Sequence, residues 1–195
     1  RAGAAIGQPR QNQVADIARR HGLGLHLDGA RAFNACVALG VDIKTFTAPF
    51  DTVSICLSKG LGAPVGSVLI GSQDLIDRTR RNRKMLGGGL RQSGILAAAG
   101  LYALDHNVDR LAEDHRRARR LAEGLAAFPS LFVTQPDTNI VFVDVEERLG
   151  DRFTSFLQQR GIGVMGYGRQ RWVTHLDIDD DAVEGALAEV AAFFR

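Results

Sequence analysis

The sequence predicts an α/β protein in two parts, a helix-and-sheet domain over residues 1–129 and a small α+β domain over residues 130–195. Three observations predict it. Helical periodicity gives way to a strand pattern that ends on a polar residue, Asp28, and this is the repeating unit of an α/β sheet. A second apolar, β-branched run at 51–57 leads directly into a loop rich in glycine and proline. After Phe128-Pro129 the texture changes to short strands alternating with helices.

The elements follow in order. The opening RAGAAIGQPR reads as the middle of a loop, and no initiator methionine precedes Arg1, so we expect a carboxy-terminal portion of a longer protein. Pro9 suits a first helical position, Val14, Ile17, Ala18 and His21 recur at helical spacing, and Gly22 is a natural stop. Leu23, Leu25 and Leu27 then alternate with Gly24, His26 and Asp28 as in a strand. A second strand is predicted over 51–57, a loop over 58–64 and a third strand over 65–70. Ser72 can cap a helix to about Met85, which the glycines at 87–89 break. Residues 90–105 read as helical, and a further helix from about Asn107 carries Val108, Leu111, His115, Ala118, Leu121 and Leu125 on one stripe. In the last part, strands at 139–144 and about 170–175 alternate with helices at 151–160 and 180–194.

The composition narrows the functional classes. A chain of 195 residues with 45% hydrophobic and 24% charged residues can bury a sizeable core without disulfides or metals. A formal net charge of +2 demands no polyanionic partner. The basic runs RTRRNRK at 78–84 and RRARR at 116–120 are offset by 22 acidic residues, with only 7% aromatics for base stacking, so we expect no nucleic-acid partner. No apolar run reaches the ~18 residues of a membrane span, and no membrane partner is expected. Cys36 and Cys56 form no CxxC pair and the five histidines show no compact ligand spacing. A reducing, cytoplasmic compartment without a bound metal fits. The glycines at 60, 62 and 66 are spaced GxGxxxG and lead into a strand, so a dinucleotide loop, which opens a helix, is set aside.

Four residues stand out chemically. Only three of the 24 basic residues are lysines, and one of them, Lys59, sits in the glycine-rich loop after a buried strand, where partial desolvation would make its amine a usable nucleophile. Asp28 closes a strand at the edge where α/β sheets bind ligands, and can pair with a protonated ring nitrogen. Arg31 lies three residues further on and Arg171 lies on a late strand, and arginine's planar fork grips carboxylates in two places. Together they suit a cofactor with an aldehyde and a basic ring nitrogen, namely pyridoxal 5'-phosphate.

The wording of four segments carries this further. HLDGARAFNA at 26–35, SICLSKGLGAPVGSVLIG at 54–71, RKMLGGGLRQSG at 83–94 and RWVTHLD at 171–177 resemble successive motifs of the L-threonine aldolases. These are fold-type-I pyridoxal-phosphate lyases of the aspartate aminotransferase superfamily. The resemblance implies that residues 1–129 are part of the large cofactor-binding domain. It implies that Lys59 carries the cofactor covalently, that Asp28 contacts its ring nitrogen and that Arg31 reaches the ring hydroxyl and the substrate. Arg171 would bind the substrate carboxylate. Lys84 and Arg91 are implied to reach a neighbouring subunit's site near the phosphate, in a homotetramer that shares its sites. The implied reaction is retro-aldol cleavage of L-threonine or L-allo-threonine to glycine and an aldehyde.

The family's earlier segment, implied to supply a phosphate loop and two functional histidines, does not match any part of this sequence. Without it we expect Leu27, Val53 and Ile55 to be underburied. Two alternatives stay open. One is a truncated, non-catalytic relative that only oligomerises. The other is a β-eliminating lyase acting on a different amino acid with the same cofactor.

Overall fold

A computed structural model describes residues 4–166 and 168–195. The first three residues of the loop expected at the start lie outside the described residues. The chain divides into two compact units, and the second runs Leu111–Arg195. Its helix Leu111–Leu125 packs with the strands that follow it, so the division falls earlier than residue 129, where the change of texture suggested it.

The unit Ala5–Arg110 begins with helix α1, Gln8–Arg20, which has proline in its first turn. Its buried face is Gln11, Ala15 and Ala18, whereas Val14 and Ile17 are exposed, so the stripe expected from the larger apolar residues is turned outward. Strand β1, His26–Asp28, is shorter than the alternation from Leu23 suggests. Ladder bonding needs a partner, and the register starts at His26 opposite Thr52. Two helices follow, α2 (Ala32–Leu39) and α3 (Ile43–Thr47), the second capped by Asp42, whose carboxylate accepts from Lys44 N and Thr45 N at 3.0 Å. Neither is long enough to show a helical period in sequence.

Strand β2, Thr52–Cys56, lies parallel to β1 and antiparallel to β3, Ser67–Gly71, giving the order β1-β2-β3. Val53 and Ile55 are buried and Leu27 is partly so; the exposed apolar residues are instead Val68, Leu69 and Ile70 on β3. Strand β3 starts later than residue 65 because Gly66 turns the chain at φ 121°, a left-handed region open to glycine. Ser72 caps helix α4, Gln73–Met85, by accepting from Leu75 N at 3.4 Å. At its far end Gly87, at φ 89°, donates to Lys84 O and Gly88 donates to Arg83 O at 2.8 Å, the paired bonds of a Schellman turn. Helix α5, Gly94–His106, closes on Asn107, the residue from which the sequence suggested the next helix would start.

In Leu111–Arg195, helix α6 (Leu111–Leu125) is followed by β4 (Leu131–Thr134), β5 (Ile140–Val145), helix α7 (Gly150–Gln159), β6 (Arg169–Val173) and helix α8 (Asp180–Phe193). The strands form an antiparallel sheet, β4-β5-β6. Leu121, Leu125, Val141, Val143, Phe153, Leu157, Trp172, Val183 and Val190 make one continuous core. From Leu111 onward the stripe expected on α6 is the buried one. The α/β class predicted from sequence is the class observed. Among the described residues no helix is long and apolar enough to cross a membrane.

Candidate active site

Two parallel strands that end side by side bring their following residues to one edge of a sheet. Here β1 and β2 pair Asp28 with Ser54, and the ladder runs one bond further, Gly29 N donating to Ser54 O at 2.8 Å. The approach is so close that a Cβ on residue 29 would lie 2.7 Å from Ser54 O, so glycine is required there. Immediately before it, the exposed Asp28 carboxylate accepts from Ala30 N at 3.2 Å. That bond leaves acceptor capacity for a ligand at the strand end.

Beyond β2, Leu57 N still donates to Gly66 O, and Ser58 and Lys59 follow at the same edge. The lysine loop is pinned from its apolar side. Gly60, Leu61 and Ala63 are buried, Gly62 N donates to Lys59 O at 2.9 Å, and Ala63 N donates to Leu57 O at 3.0 Å. The Asn107 side-chain amide reaches across to donate to Leu61 O at 2.8 Å. Lys59 itself is exposed, not partly desolvated as the sequence led us to expect, because the buried residues are its neighbours. The edge therefore carries a carboxylate at the end of β1 and a primary amine in the loop that follows β2. An amine can condense with an aldehyde, and a carboxylate can hold a protonated ring nitrogen, so these residues fit a cofactor of that kind.

Cys56 lies next to this loop, its Sγ 3.4 Å from Ser58 Oγ. Partial burial raises its pKa, but the Ser58 hydrogen bonds and the Lys59 charge together bring it below the usual thiol value. Cys36, by contrast, is pushed up to about 11 by burial, with the Asp42 charge acting in the same sense.

The remaining residues singled out in sequence sit on or beside other elements. Arg31 is half-buried at the start of α2, three residues past Asp28, and its carbonyl accepts from Ala35 N at 3.2 Å. Lys84 lies in the last turn of α4, with Nζ folded over Gly89, and Arg91 follows in the segment before α5; both are exposed. Arg171 belongs to the other unit. On β6 it pairs with Phe142, its N donates to Met165 O at 2.7 Å, and its Nη2 lies 3.0 Å from Met165 Sδ. Its Nε is buried with no hydrogen-bond acceptor.

Gly29, Asn107 and Met165 escape a reading of the sequence. Gly29 carried a usable signal, since glycine after a strand-closing aspartate marks close backbone approach. For Asn107 and Met165 the partner is remote in the chain or defined only by the hairpin, and no local pattern betrays it.

The low specificity L-threonine aldolase of Escherichia coli K12 is 48% identical over 180 residues, 92% of this chain and 53% of its own length. Low-specificity L-threonine aldolase 1 of Arabidopsis thaliana is 47% identical over 185 residues, 90% of this chain and 51% of its own length. The chain thus spans about half the length of the curated relatives it matches. Among solved structures, the threonine aldolase of Leishmania major superposes with a TM-score of 0.77 at 18% identity, covering 96% of this chain and 56% of that one, which is a likeness of fold. The family model for the beta-eliminating lyases matches residues 1–148, and the chain belongs to that family.

Proposed function

We propose that the whole protein cleaves L-threonine and L-allo-threonine to glycine and an aldehyde with pyridoxal 5'-phosphate as cofactor. The observation that carries this reading is the placing of Lys59 and Asp28 at one carboxyl edge of β1 and β2. Lys59 would hold the cofactor covalently through its amine. Asp28 keeps the ring nitrogen protonated, and Arg31 orients the ring hydroxyl and the substrate. Bound pyridoxal phosphate supplies an electron-accepting ring for the charge left as the Cα–Cβ bond breaks. Arg171 takes the substrate carboxylate in its planar fork. We do not assign the retro-aldol base to Lys59.

The same reading makes the protein a homotetramer with shared sites, in which Lys84 and Arg91 face a neighbour's phosphate. Support comes from their exposure and from the absence, among the described residues, of an ion pair to either. A cytoplasmic location accords with two free cysteines.

The test is cofactor trapping. Full-length protein incubated with pyridoxal phosphate and reduced with borohydride should carry one adduct, at Lys59, absent from Lys59→Ala. The native protein should then release glycine and acetaldehyde from L-threonine. An unlabelled Lys59 would sink the assignment, and release of ammonia and a 2-oxo acid instead would show β-elimination.

A further inference from the structure

The arginines of the Leu111–Arg195 unit mostly meet carboxylates. Arg116 and Arg117 reach Asp180 at 2.7 and 2.8 Å, Arg120 reaches Glu184 at 2.7 Å, Arg160 reaches Glu189 at 2.6 Å, and Arg169 lies 3.6 Å from Asp144. Arg171 differs. Among the described residues no carboxylate pairs with it, and its one side-chain acceptor is a thioether, Met165 Sδ, at 3.0 Å from Nη2. The neighbouring donor, Nε, is buried without an acceptor.

Nε and Nη2 form one edge of the guanidinium fork, the edge that grips a carboxylate side-on through two parallel bonds. A thioether is neutral and a weak acceptor. It therefore orients Nη2 while leaving the full positive charge uncompensated, and it yields readily to a stronger acceptor.

The contact is imposed by the backbone. Met165 and Arg171 form a β-bridge in which Arg171 N donates to Met165 O at 2.7 Å and Met165 N donates to Arg171 O at 3.4 Å. The turn beyond Met165 passes through Gly166 at φ 111°, where a Cβ would lie 2.1 Å from Arg169 O. With only glycine possible at that corner, residue 165 is held opposite Arg171 whatever its side chain.

We infer that Met165 is a positioning residue that holds the Arg171 fork in place for a carboxylate without neutralising it, a role that rests on Arg171 being the substrate-carboxylate ligand. It sets a chemical requirement at 165: a neutral weak acceptor. A carboxylate there is an internal competitor of the substrate, and an aliphatic side chain leaves the fork unguided.

The test compares Met165→Leu, Met165→Gln and Met165→Glu with Arg171→Ala in the full-length, cofactor-loaded protein. It reads KM and kcat for L-threonine together with glycine affinity by calorimetry. Loss of one weak hydrogen bond predicts a KM about three- to tenfold higher in Met165→Leu with kcat nearly retained. Met165→Gln, which restores a neutral acceptor, should bring KM back toward the native value. Met165→Glu should raise KM and weaken glycine at least about tenfold, because the tethered carboxylate competes at high effective concentration. That loss should shrink as the glutamate is protonated at lower pH, a signature that mere structural damage would not give. If Met165→Glu binds glycine like the native protein while Arg171→Ala does not, the role of Met165 is overturned and Arg171 stands. If Arg171→Ala binds glycine normally, the carboxylate assignment fails and takes this inference with it.

Discussion

At the scale of single residues, the two cysteines test how local surroundings set reactivity. The thiolate is the nucleophile, so alkylation follows thiolate fraction and access together. Cys36 is buried, with its pKa raised to about 11, whereas Cys56 is partly exposed and shifted downward beside Ser58 and Lys59. Brief iodoacetamide treatment near neutral pH should label Cys56 and spare Cys36 by peptide mass spectrometry; preferential labelling of Cys36 would contradict the packing of α2 and α3. A rare lysine in a glycine-rich loop and an aspartate at a strand end were readable as candidates, each with a common ordinary role, and the joint wording of four segments singled them out. The thioether at residue 165 was not, because methionine is ordinarily a core filler and its meaning here comes from the arginine across a bridge.

Elements were legible in proportion to their length and their terminal chemistry. Helix α4 announces both ends, through the Ser72 cap and the glycines at 87–89, and helices α7 and α8 start and stop within a residue of the periods that predict them. Short helices α2 and α3 and the strand β4 lack the length to establish a period. The ends of β1 and β3 are fixed by partner register and by a turn, neither of which is written in the strand itself. That turn logic gives a prediction for the β6 hairpin. Gly166→Ala places a Cβ on Arg169 O in a backbone conformation that alanine rarely adopts, which should cost about 2 kcal/mol. Urea denaturation should show the midpoint falling by a corresponding amount; an unchanged midpoint would mean that the hairpin turns differently.

Taken as a whole, the molecule distributes its burial unevenly. The unit Leu111–Arg195 encloses a continuous core on which Phe128, Phe156, Phe193 and Phe194 also pack. The unit Ala5–Arg110 leaves Val68, Leu69, Ile70, Met85, Leu86 and Ile95 exposed. Within the better-enclosed unit, burial holds His115 below the usual histidine pKa; the Arg119 charge acts with it and Asp114 opposes. The unfolded chain takes up a proton at this position near pH ~6.5 and the folded chain does not until lower pH. Stability should therefore fall as pH drops from about 6.5 toward the folded value. Denaturant midpoints at pH 7.5 and 5.5 check this: the native protein should lose more on acidification than His115→Gln, whatever the substitution does to either value alone. The enclosed unit is also closed by residues far apart in the chain. Arg116, Arg117 and Arg120 of α6 grip Asp180 and Glu184 of α8, and Val183 and Val190 complete a core begun by Ala118 and Leu121. On a ribosome this delays completion of the core: α6 can meet β4 and β5 as they emerge, but Val183 and Val190 join only once the α8 segment has been made.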